Sequence, residues 1–258
     1  MSQASTHVRH PKRRASAPKA PRAPRLSRAW LISIALVVAA FVAGGVVIAT
    51  QFAGGGDSSA TKTMSLLGVA DTATMLEGIP QHGNVLGSPK APVTLVEYAD
   101  LQCPYCGEFA RNALPPLVDD YVRTGKVKLV FRGLAFVGPE SETALRTVIA
   151  AGEQNRLWNV AHLMYSNQGP ENTGWVNDTY LRSVAGAVRG IDVAQLGSRT
   201  GSADVTGTIA RYADNATADG VSSTPSFLVG HTGGTLRPLE ISVLEAASFR
   251  PALQALLG

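Results

Sequence analysis

The sequence predicts an α/β protein with a central mixed sheet, flanking helices and an inserted helical domain. The first observation is a strand, a helix and a second strand in succession, with apolar strands at 93–98 and 126–132. Because a long helical connection joins these strands, we expect them to be parallel. The second observation is a run of helical periodicity over about residues 138–218, which separates this unit from a later pair of short strands.

The N-terminal 56 residues carry eight basic side chains and no acidic one. The other 202 residues hold 15 basic and 19 acidic side chains, so the positive net charge of the chain belongs to its N-terminus. The folded part therefore has no basic excess that would suit nucleic-acid binding. Residues 1–28 are rich in Pro, Ala, Ser, Arg and Lys, and we expect them to form a disordered basic tail in the cytoplasm.

Residues 29–53 predict a transmembrane helix. No charged residue lies between Ala29 and Gly56, and the 23 residues of 30–52 would span a hydrocarbon core of about 30 Å. The basic tail before this segment predicts an uncleaved signal anchor, with the N-terminus in the cytoplasm and the rest of the chain outside. A cleaved signal peptide is the alternative, although no clear A-x-A pattern follows. Both interpretations export the remainder to a compartment where disulfides persist.

Residues 54–88 are rich in Gly, Ser, Thr and Ala and predict an extracytoplasmic linker, with a short helix at about 65–75. The folded domain is expected over 89–258. After its first strand, a helix begins at the cysteines and should be broken or kinked by Pro115 and Pro116, because two successive N–H groups are missing. The other predicted elements are helices at 141–165, 175–189, 202–217 and 249–257 and strands at 126–132, 227–229 and 235–241.

The only two cysteines of the chain stand in Cys103-Pro104-Tyr105-Cys106, where the first strand gives way to a helix. This spacing at a helix N-terminus allows the first sulfur to face solvent with the second within bonding distance. The unpaired N–H groups and the positive end of the helix dipole favour a thiolate there. Pro104 suits the first helical turn, where its missing N–H costs nothing. We therefore predict a redox-active disulfide with Cys103 as the nucleophile and Cys106 as the resolving thiol.

Three other uses of a C-x-x-C pair fit this sequence less well. A structural zinc site needs four ligands, and without further cysteines the rest would have to come from five scattered histidines. Haem attachment needs a histidine after the second cysteine, where this chain has Gly107. A purely structural disulfide closing so small a loop would constrain the unfolded chain little. We accordingly expect no metal and no cofactor, and we interpret His162 as a packed side chain of a helix.

A second feature is Thr224-Pro225, directly before the predicted strand at 227–229. A proline beside a core strand cannot donate to the hydrogen-bond ladder, and a cis peptide bond would suit this position.

Together these residues resemble the thioredoxin superfamily, and within it the DsbA-like extracytoplasmic thiol:disulfide oxidoreductases. The resemblance covers about residues 80–258 and rests on the strand leading into the two cysteines, the helical insertion and Thr224-Pro225. It implies a thioredoxin-like fold in which a helical domain caps the active site. It also implies that Thr224 and Pro225 form a cis-proline loop beside Cys103 and offer backbone groups to an extended peptide substrate.

Glu97, six residues before Cys103, matches the buried acid that in this family assists proton transfer to and from the resolving cysteine. The alternative is an exposed carboxylate at the end of a strand. A buried acid with a shifted pKa is costly unless it is used, which favours the catalytic interpretation.

The resemblance implies a membrane-anchored oxidase that introduces disulfides into exported, cysteine-containing proteins. It further implies reoxidation by a quinone-linked membrane partner of the DsbB or vitamin-K-epoxide-reductase type. Two departures leave a DsbG-like reductase or isomerase open, because the dipeptide is Pro104-Tyr105 instead of Pro-His and the residue before the later proline is Thr224. A tyrosine hydrogen bond should stabilise the thiolate less than an imidazolium, so we expect a milder oxidant than the type member. A third hypothesis is a peptide-binding chaperone with a structural disulfide.

Overall fold

The computed structural model describes residues 64–258. The predicted basic tail (1–28), the predicted transmembrane helix (29–53) and the start of the predicted linker lie outside the described residues. Within 64–258, no helix combines the length and the apolar composition that a bilayer crossing requires.

A six-stranded mixed sheet lies at the centre of the described chain. Its strands are β1 (Gln81–His82), β2 (Val85–Leu86), β3 (Val93–Ala99), β4 (Val127–Gly133), β5 (Ser226–His231) and β6 (Arg237–Leu239). Their spatial order is β1-β2-β4-β3-β5-β6. β3 and β4 are parallel, whereas β5 is antiparallel to β3 and β6 is antiparallel to β5. The prediction of a mixed sheet built on a parallel pair is therefore confirmed.

Helices cover the sheet. They are α1 (Val69–Leu76), α2 (104–122), α3 (Pro139–Glu153), α4 (Leu157–Ser166), α5 (Asp178–Ala187), α6 (Val193–Arg199), α7 (Ala203–Ala218) and α8 (Ala246–Leu257). Helices α3 to α7 lie between β4 and β5, in the part of the chain where the periodicity predicts a helical insertion. Three of them begin at residues whose side chains accept a hydrogen bond from the first helical turn, as helix N-caps do, namely Asn177, Asp192 and Ser202.

The sequence predicts a break or a kink of helix α2 at Pro115 and Pro116, and the helix continues through both prolines without a break. Wide π turns take the place of α turns on either side of the prolines, and they use hydrogen bonds between residues five apart, as from Leu114 N–H to the Phe109 carbonyl. The helix thereby continues although two N–H groups are missing. Its segments are α-helical at Pro104–Glu108 and Leu114–Leu117 and π-helical at Phe109–Ala113 and Val118–Val122.

Residues 64–88 differ from the linker that their composition predicts, although the short helix expected at about 65–75 is present as α1. They contain α1, β1 and β2, and β2 pairs antiparallel with β4. Leu76 and Leu86 are buried in the main core cluster. The folded part therefore begins well before residue 89, because several apolar side chains of this stretch are buried in the core.

The single helix predicted over 141–165 is two helices, α3 and α4. Asn155 lies between them with φ 56°, a left-handed conformation that Asn tolerates better than most residues. Helix α6 is an element that the sequence did not predict. The turn at Asn155 allows α4 to fold back against α3, and this brings the end of α4 to the cysteines.

The central strand β3 is buried along its whole length, because helices cover both faces of the sheet. Alternate side chains of a strand point to opposite faces. Val96 and Tyr98 belong to one core cluster, whereas Leu95 and Ala99 belong to the other. The cluster that contains Leu95 and Ala99 is the main core cluster, and it includes three packed aromatic rings from α2, β5 and α8, namely Phe109, Phe227 and Phe249. Glu97 shares the parity of Leu95 and Ala99, so it points to the face covered by α2.

Candidate active site

The tetrapeptide that holds the two cysteines lies between the end of β3 and the first turn of α2. Cys103 is the N-cap residue, with an extended backbone (φ −65°, ψ 121°), and Pro104 is the first helical residue, as the spacing predicts. The Cys103 carbonyl oxygen accepts the first helical hydrogen bond, from Gly107 N–H at 3.1 Å. The N–H groups of the first turn have no partner within the helix and are free to face the Cys103 sulfur.

Cys103 is more buried than the sequence predicts. Cys103 is 6% exposed and Cys106 is 0% exposed, so solvent reaches Cys103 only through a small opening. The prediction of a solvent-facing sulfur is therefore too strong, because the segment before Pro225 lies against it. The structure describes both residues as free thiols. The disulfide between Cys103 and Cys106 stays a prediction.

The surroundings of the two sulfurs shift their pKa values in opposite directions. Hydrogen bonds lower the pKa of Cys103 from 9.0 to about 6, first from the Cys106 thiol, then from the Thr224 side chain and the first N–H groups of α2, against the opposing effect of burial. Burial raises the pKa of Cys106 well above 9.0, and the hydrogen bond and charge of Cys103 raise it further. At neutral pH, Cys103 is the thiolate and Cys106 the thiol, as their predicted roles require.

Thr224 and Pro225 meet the cysteines across 121 residues of sequence. The peptide bond between them is cis. In its thiol form, Cys103 donates from Sγ to the Thr224 carbonyl oxygen at 3.3 Å. The residue after Pro225 begins β5, which pairs with β3 in the register Tyr98↔Ser226. The pairing of the two strands therefore brings the predicted substrate loop against the predicted nucleophile.

Glu97 is buried beneath the cysteines, at 5% exposure, so the alternative of an exposed strand-end carboxylate is wrong. Desolvation, and then the charge of Cys103, raise the pKa of Glu97 from 4.5 to about 8. Its Oε1 atom has no hydrogen-bond partner within the described chain. The charge of Glu97 also contributes to the raised pKa of Cys106. An acid that titrates near neutral pH beside the resolving thiol can exchange a proton with it.

The loop between β3 and Cys103 is held by side chains that sequence reasoning missed. Asp100 Oδ2 accepts hydrogen bonds from the N–H groups of Phe136 and Val137 at 2.7 and 2.9 Å. Gln102 Oε1 accepts from Asn172 N–H at 2.8 Å, and Gln102 Nε2 donates to Asn172 Oδ1 at 3.2 Å. The signal available in the sequence was the pair of polar residues, Asp100 and Gln102, in a stretch that must be buried if β3 is central.

Two further residues reach this loop from the helical insertion. Gln168 Nε2 donates to the carbonyl oxygens of Leu101 and Cys103, each at 3.0 Å. The buried Tyr165 hydroxyl donates to the Asp100 carbonyl oxygen at 3.2 Å. Burial, and then the charge of Cys106, raise the pKa of Tyr165 well above 10.0, so this hydroxyl stays a donor. No local pattern in the sequence marks either residue.

Tyr105 contributes to the site through its backbone. The side chain is 63% exposed, and it is the Tyr105 N–H that helps to lower the pKa of Cys103. The hydroxyl hydrogen bond to the thiolate that the sequence analysis expects is not among the contacts of the described residues. The Tyr105 side chain therefore lies at the rim of the site, and the residue acts on the Cys103 sulfur through its backbone N–H.

His162 is a packed side chain, as interpreted from the sequence. It is buried in α4, with Nδ1 2.8 Å from Thr72 Oγ1 in α1. Burial lowers the pKa of His162 to about 4, so it is neutral at physiological pH. Within 64–258, no three His, Cys, Asp or Glu side chains are grouped so that they could hold a metal ion.

A dithiol of opposed pKa values at a helix N-terminus, next to a cis-proline loop and on a mixed sheet with a helical insertion, defines a thiol–disulfide oxidoreductase. A family profile described as thioredoxin matches residues 81–237, which is more than half of the chain. The chain therefore belongs to the thioredoxin family.

Relatives support the same class of activity. The probable disulfide bond formation protein D of Bacillus cereus is 29% identical over 147 residues, which cover 56% of this chain and 68% of that protein. The crystal structure of oxidised BdbD from Bacillus subtilis has a TM-score of 0.60 at 21% identity and covers 69% of this chain and 97% of that one, which shows the shared DsbA-like fold. The predicted thioredoxin-like fold and protein disulfide oxidoreductase activity are thereby confirmed.

A different kind of relative shares the domain alone. The Na(+)/H(+) antiporter NhaA 1 of Salinispora arenicola is 32% identical over 176 residues, which cover 66% of this chain but 25% of the antiporter. The present chain thus spans about a quarter of that relative.

Proposed function

We propose that this protein is a membrane-anchored, extracytoplasmic oxidase that introduces disulfides into exported proteins. The observation that carries the proposal is the opposite shift of the two sulfur pKa values, with Cys103 lowered to about 6. A stabilised Cys103 thiolate favours the reduced pair, and this makes the disulfide a stronger oxidant. The uncharged segment 29–53, preceded by the basic tail, supports an anchor with the catalytic domain outside.

Oxidation takes place by two thiol–disulfide exchanges. A substrate thiolate attacks Cys103 Sγ of the disulfide, the bond to Cys106 breaks, and a mixed disulfide forms between Cys103 and the substrate. Cys106 leaves as a thiolate and takes a proton from Glu97. A second substrate thiolate then attacks the substrate sulfur of the mixed disulfide, and Cys103 leaves as a stable thiolate. The substrate loses two electrons and the enzyme pair gains them.

The substrates are exported proteins with reduced cysteines, as the name of the Bacillus cereus relative, a disulfide bond formation protein, supports. We assign their binding to the loop at Thr224 and Pro225, since Cys103 Sγ lies against the Thr224 carbonyl. The reduced pair must return its two electrons to an acceptor. For this step we propose a quinone-linked membrane protein of the DsbB or vitamin-K-epoxide-reductase type.

The redox state of the pair in cells tests the direction of the reaction. Cells that make the full chain are quenched with acid and alkylated with a high-mass maleimide, which retards the reduced form on a gel. We expect most of the protein to be oxidised. A mostly reduced pair would overturn the oxidase and favour a reductase or isomerase, whereas a Cys103→Ser variant with full biological activity would favour the chaperone. A thiol reagent that cannot cross membranes should label the reduced protein in intact protoplasts. Labelling only after lysis would contradict the extracytoplasmic location of the catalytic domain.

A further inference from the structure

Gln168 follows helix α4 and reaches from the helical insertion to the backbone of the redox loop. Its Nε2 atom donates to the carbonyl oxygens of Leu101 and Cys103, each at 3.0 Å. The side chain is half-buried, and within residues 64–258 it makes no hydrogen bond to either sulfur. A contact of this kind can affect the redox pair only through the backbone that it holds.

The Cys103 carbonyl oxygen accepts two hydrogen bonds, from Gly107 N–H at 3.1 Å and from Gln168 Nε2 at 3.0 Å. A carbonyl oxygen has two lone pairs, so both are used. Rotation of the peptide group between Cys103 and Pro104 would weaken both bonds, because hydrogen bonds lose strength steeply off their preferred angle. The same peptide group sets the direction from which Cys103 Sγ meets the first N–H groups of α2.

The absence of a side chain at Gly107 makes room for Gln168. A Cβ atom at this position would lie 2.3 Å from Gln168 Oε1 and 2.7 Å from Arg111 Nη1, closer than any such contact allows. Arg111 Nη1 in turn donates to the Tyr165 carbonyl oxygen at 2.6 Å, at the end of α4. The first two turns of α2 and the end of α4 are therefore in direct contact, and Gln168 joins the segment after α4 to the residues that lead into α2.

We propose that Gln168 is a positioning residue for the redox pair. It holds the Leu101 and Cys103 carbonyl groups so that the N–H groups at the start of α2 point at Cys103 Sγ. The insertion thereby helps to set the redox equilibrium of the pair. This inference rests on the proposed function, in which Cys103 is the attacked sulfur.

Gln168→Leu tests the proposal, with Gln154→Leu as a matched control. Gln154 is also a half-buried residue of the insertion and also makes two hydrogen bonds to backbone, with Asp192 N–H at 2.8 Å and the Asp192 carbonyl at 3.0 Å. The readouts are the ultraviolet absorbance of the Cys103 thiolate against pH, the equilibrium with glutathione, and thermal unfolding. We expect Gln168→Leu to raise the pKa of Cys103 by about half a unit to one unit, because the first N–H groups of α2 would point less directly at the sulfur. The glutathione equilibrium should move about threefold to tenfold towards the disulfide.

Gln154→Leu should lower thermal stability to a similar extent and leave both redox readouts unchanged. Equal losses of stability in the two variants, with an unchanged Cys103 pKa and glutathione equilibrium, would overturn the proposal. If Gln168→Leu does not fold, Gln168→Glu keeps the size of the side chain, replaces the donor by an acceptor and should shift the pKa of Cys103 further in the same direction. Failure of the wild-type protein to exchange with glutathione would defeat the proposed function itself, whereas normal wild-type exchange with unshifted Gln168 variants would defeat this inference alone.

Discussion

The two cysteines stand three residues apart in two very different surroundings. Around Cys103 lie hydrogen-bond donors, namely the Cys106 thiol, the Thr224 side chain and the first N–H groups of α2, and they lower its pKa to about 6. Around Cys106 lie buried core and the acid Glu97, and its pKa is raised well above 9.0. One turn of helix therefore separates a leaving group from a resolving thiol, and the difference lies in the surroundings because the side chains are identical.

Exchange of one cysteine at a time gives the largest expected effect. Cys103→Ser should reduce thiol–disulfide exchange to the uncatalysed rate, because the accessible thiolate is lost. Cys106→Ala should still attack a peptide disulfide through Cys103 and should then accumulate as a mixed disulfide, because no resolving thiol is present. Mass spectrometry of the adducts checks both results. Adducts on Cys106 in the Cys103→Ser variant would reverse the assignment of the two roles.

Glu97→Gln tests the buried surroundings of Cys106. Removing the proton donor should slow the release of Cys106 by about tenfold to hundredfold at pH 7. This effect is at or below the contribution that one general acid or base usually makes to a rate. Stopped-flow measurement of mixed-disulfide formation with a cysteine peptide follows this step. Asp219→Asn is the control, since Asp219 pairs with Arg132 at 2.8 Å and accepts a hydrogen bond at 2.6 Å from Tyr98, which belongs to the cluster on the other face of β3. It should lower stability by up to about 1 kcal/mol and leave the rate unchanged.

The same variant has a pH-dependent effect on stability. The folded protein raises the pKa of Glu97 from 4.5 to about 8, so the unfolded chain releases this proton at a lower pH than the native one. This difference in pKa favours the folded state at low pH, and the contribution to the free energy of unfolding is lost as the pH rises from about 4.5 towards 8. We expect Glu97→Gln to be more stable than wild type at pH 7 by on the order of 3 kcal/mol, in urea denaturation. An advantage that shrinks with rising pH would contradict the burial of a protonated acid.

Local signals in the sequence were enough to predict the core of the fold. The apolar run of β3, the alternation of β4 and the Thr224-Pro225 pair each report on their own neighbourhood. Composition misled the prediction for 64–88, where the buried side chains of Met75, Leu76, Ile79 and Leu86 decide the structure. Pro115 and Pro116 misled it for α2, because π turns are an alternative that the missing N–H groups do not reveal.

The candidate site divides in the same way. Cys103 and Cys106 follow from their spacing at the start of one helix, and Glu97 follows from the resemblance of the preceding strand to the DsbA-like proteins. The residues that hold them, Gln168 and Asn172, lie 65 to 70 residues further along the chain. Their approach depends on the left-handed turn that folds α4 against α3, and sequence spacing cannot express such a contact.

Tyr105→His has the smallest expected effect and tests the surroundings of Cys103 at the rim of the site. An imidazolium at this rim position should lower the pKa of Cys103 by up to about half a unit and shift the glutathione equilibrium about threefold towards the dithiol. Tyr105→Phe is the matched control and should change neither, because the Tyr105 N–H is the group that acts on the sulfur. All three residues supply that N–H, so the series isolates the charge of the side chain. A shift in Tyr105→Phe would mean that the hydroxyl reaches the thiolate after all, and no shift in Tyr105→His would leave the poise of Cys103 to the backbone, Thr224 and Cys106.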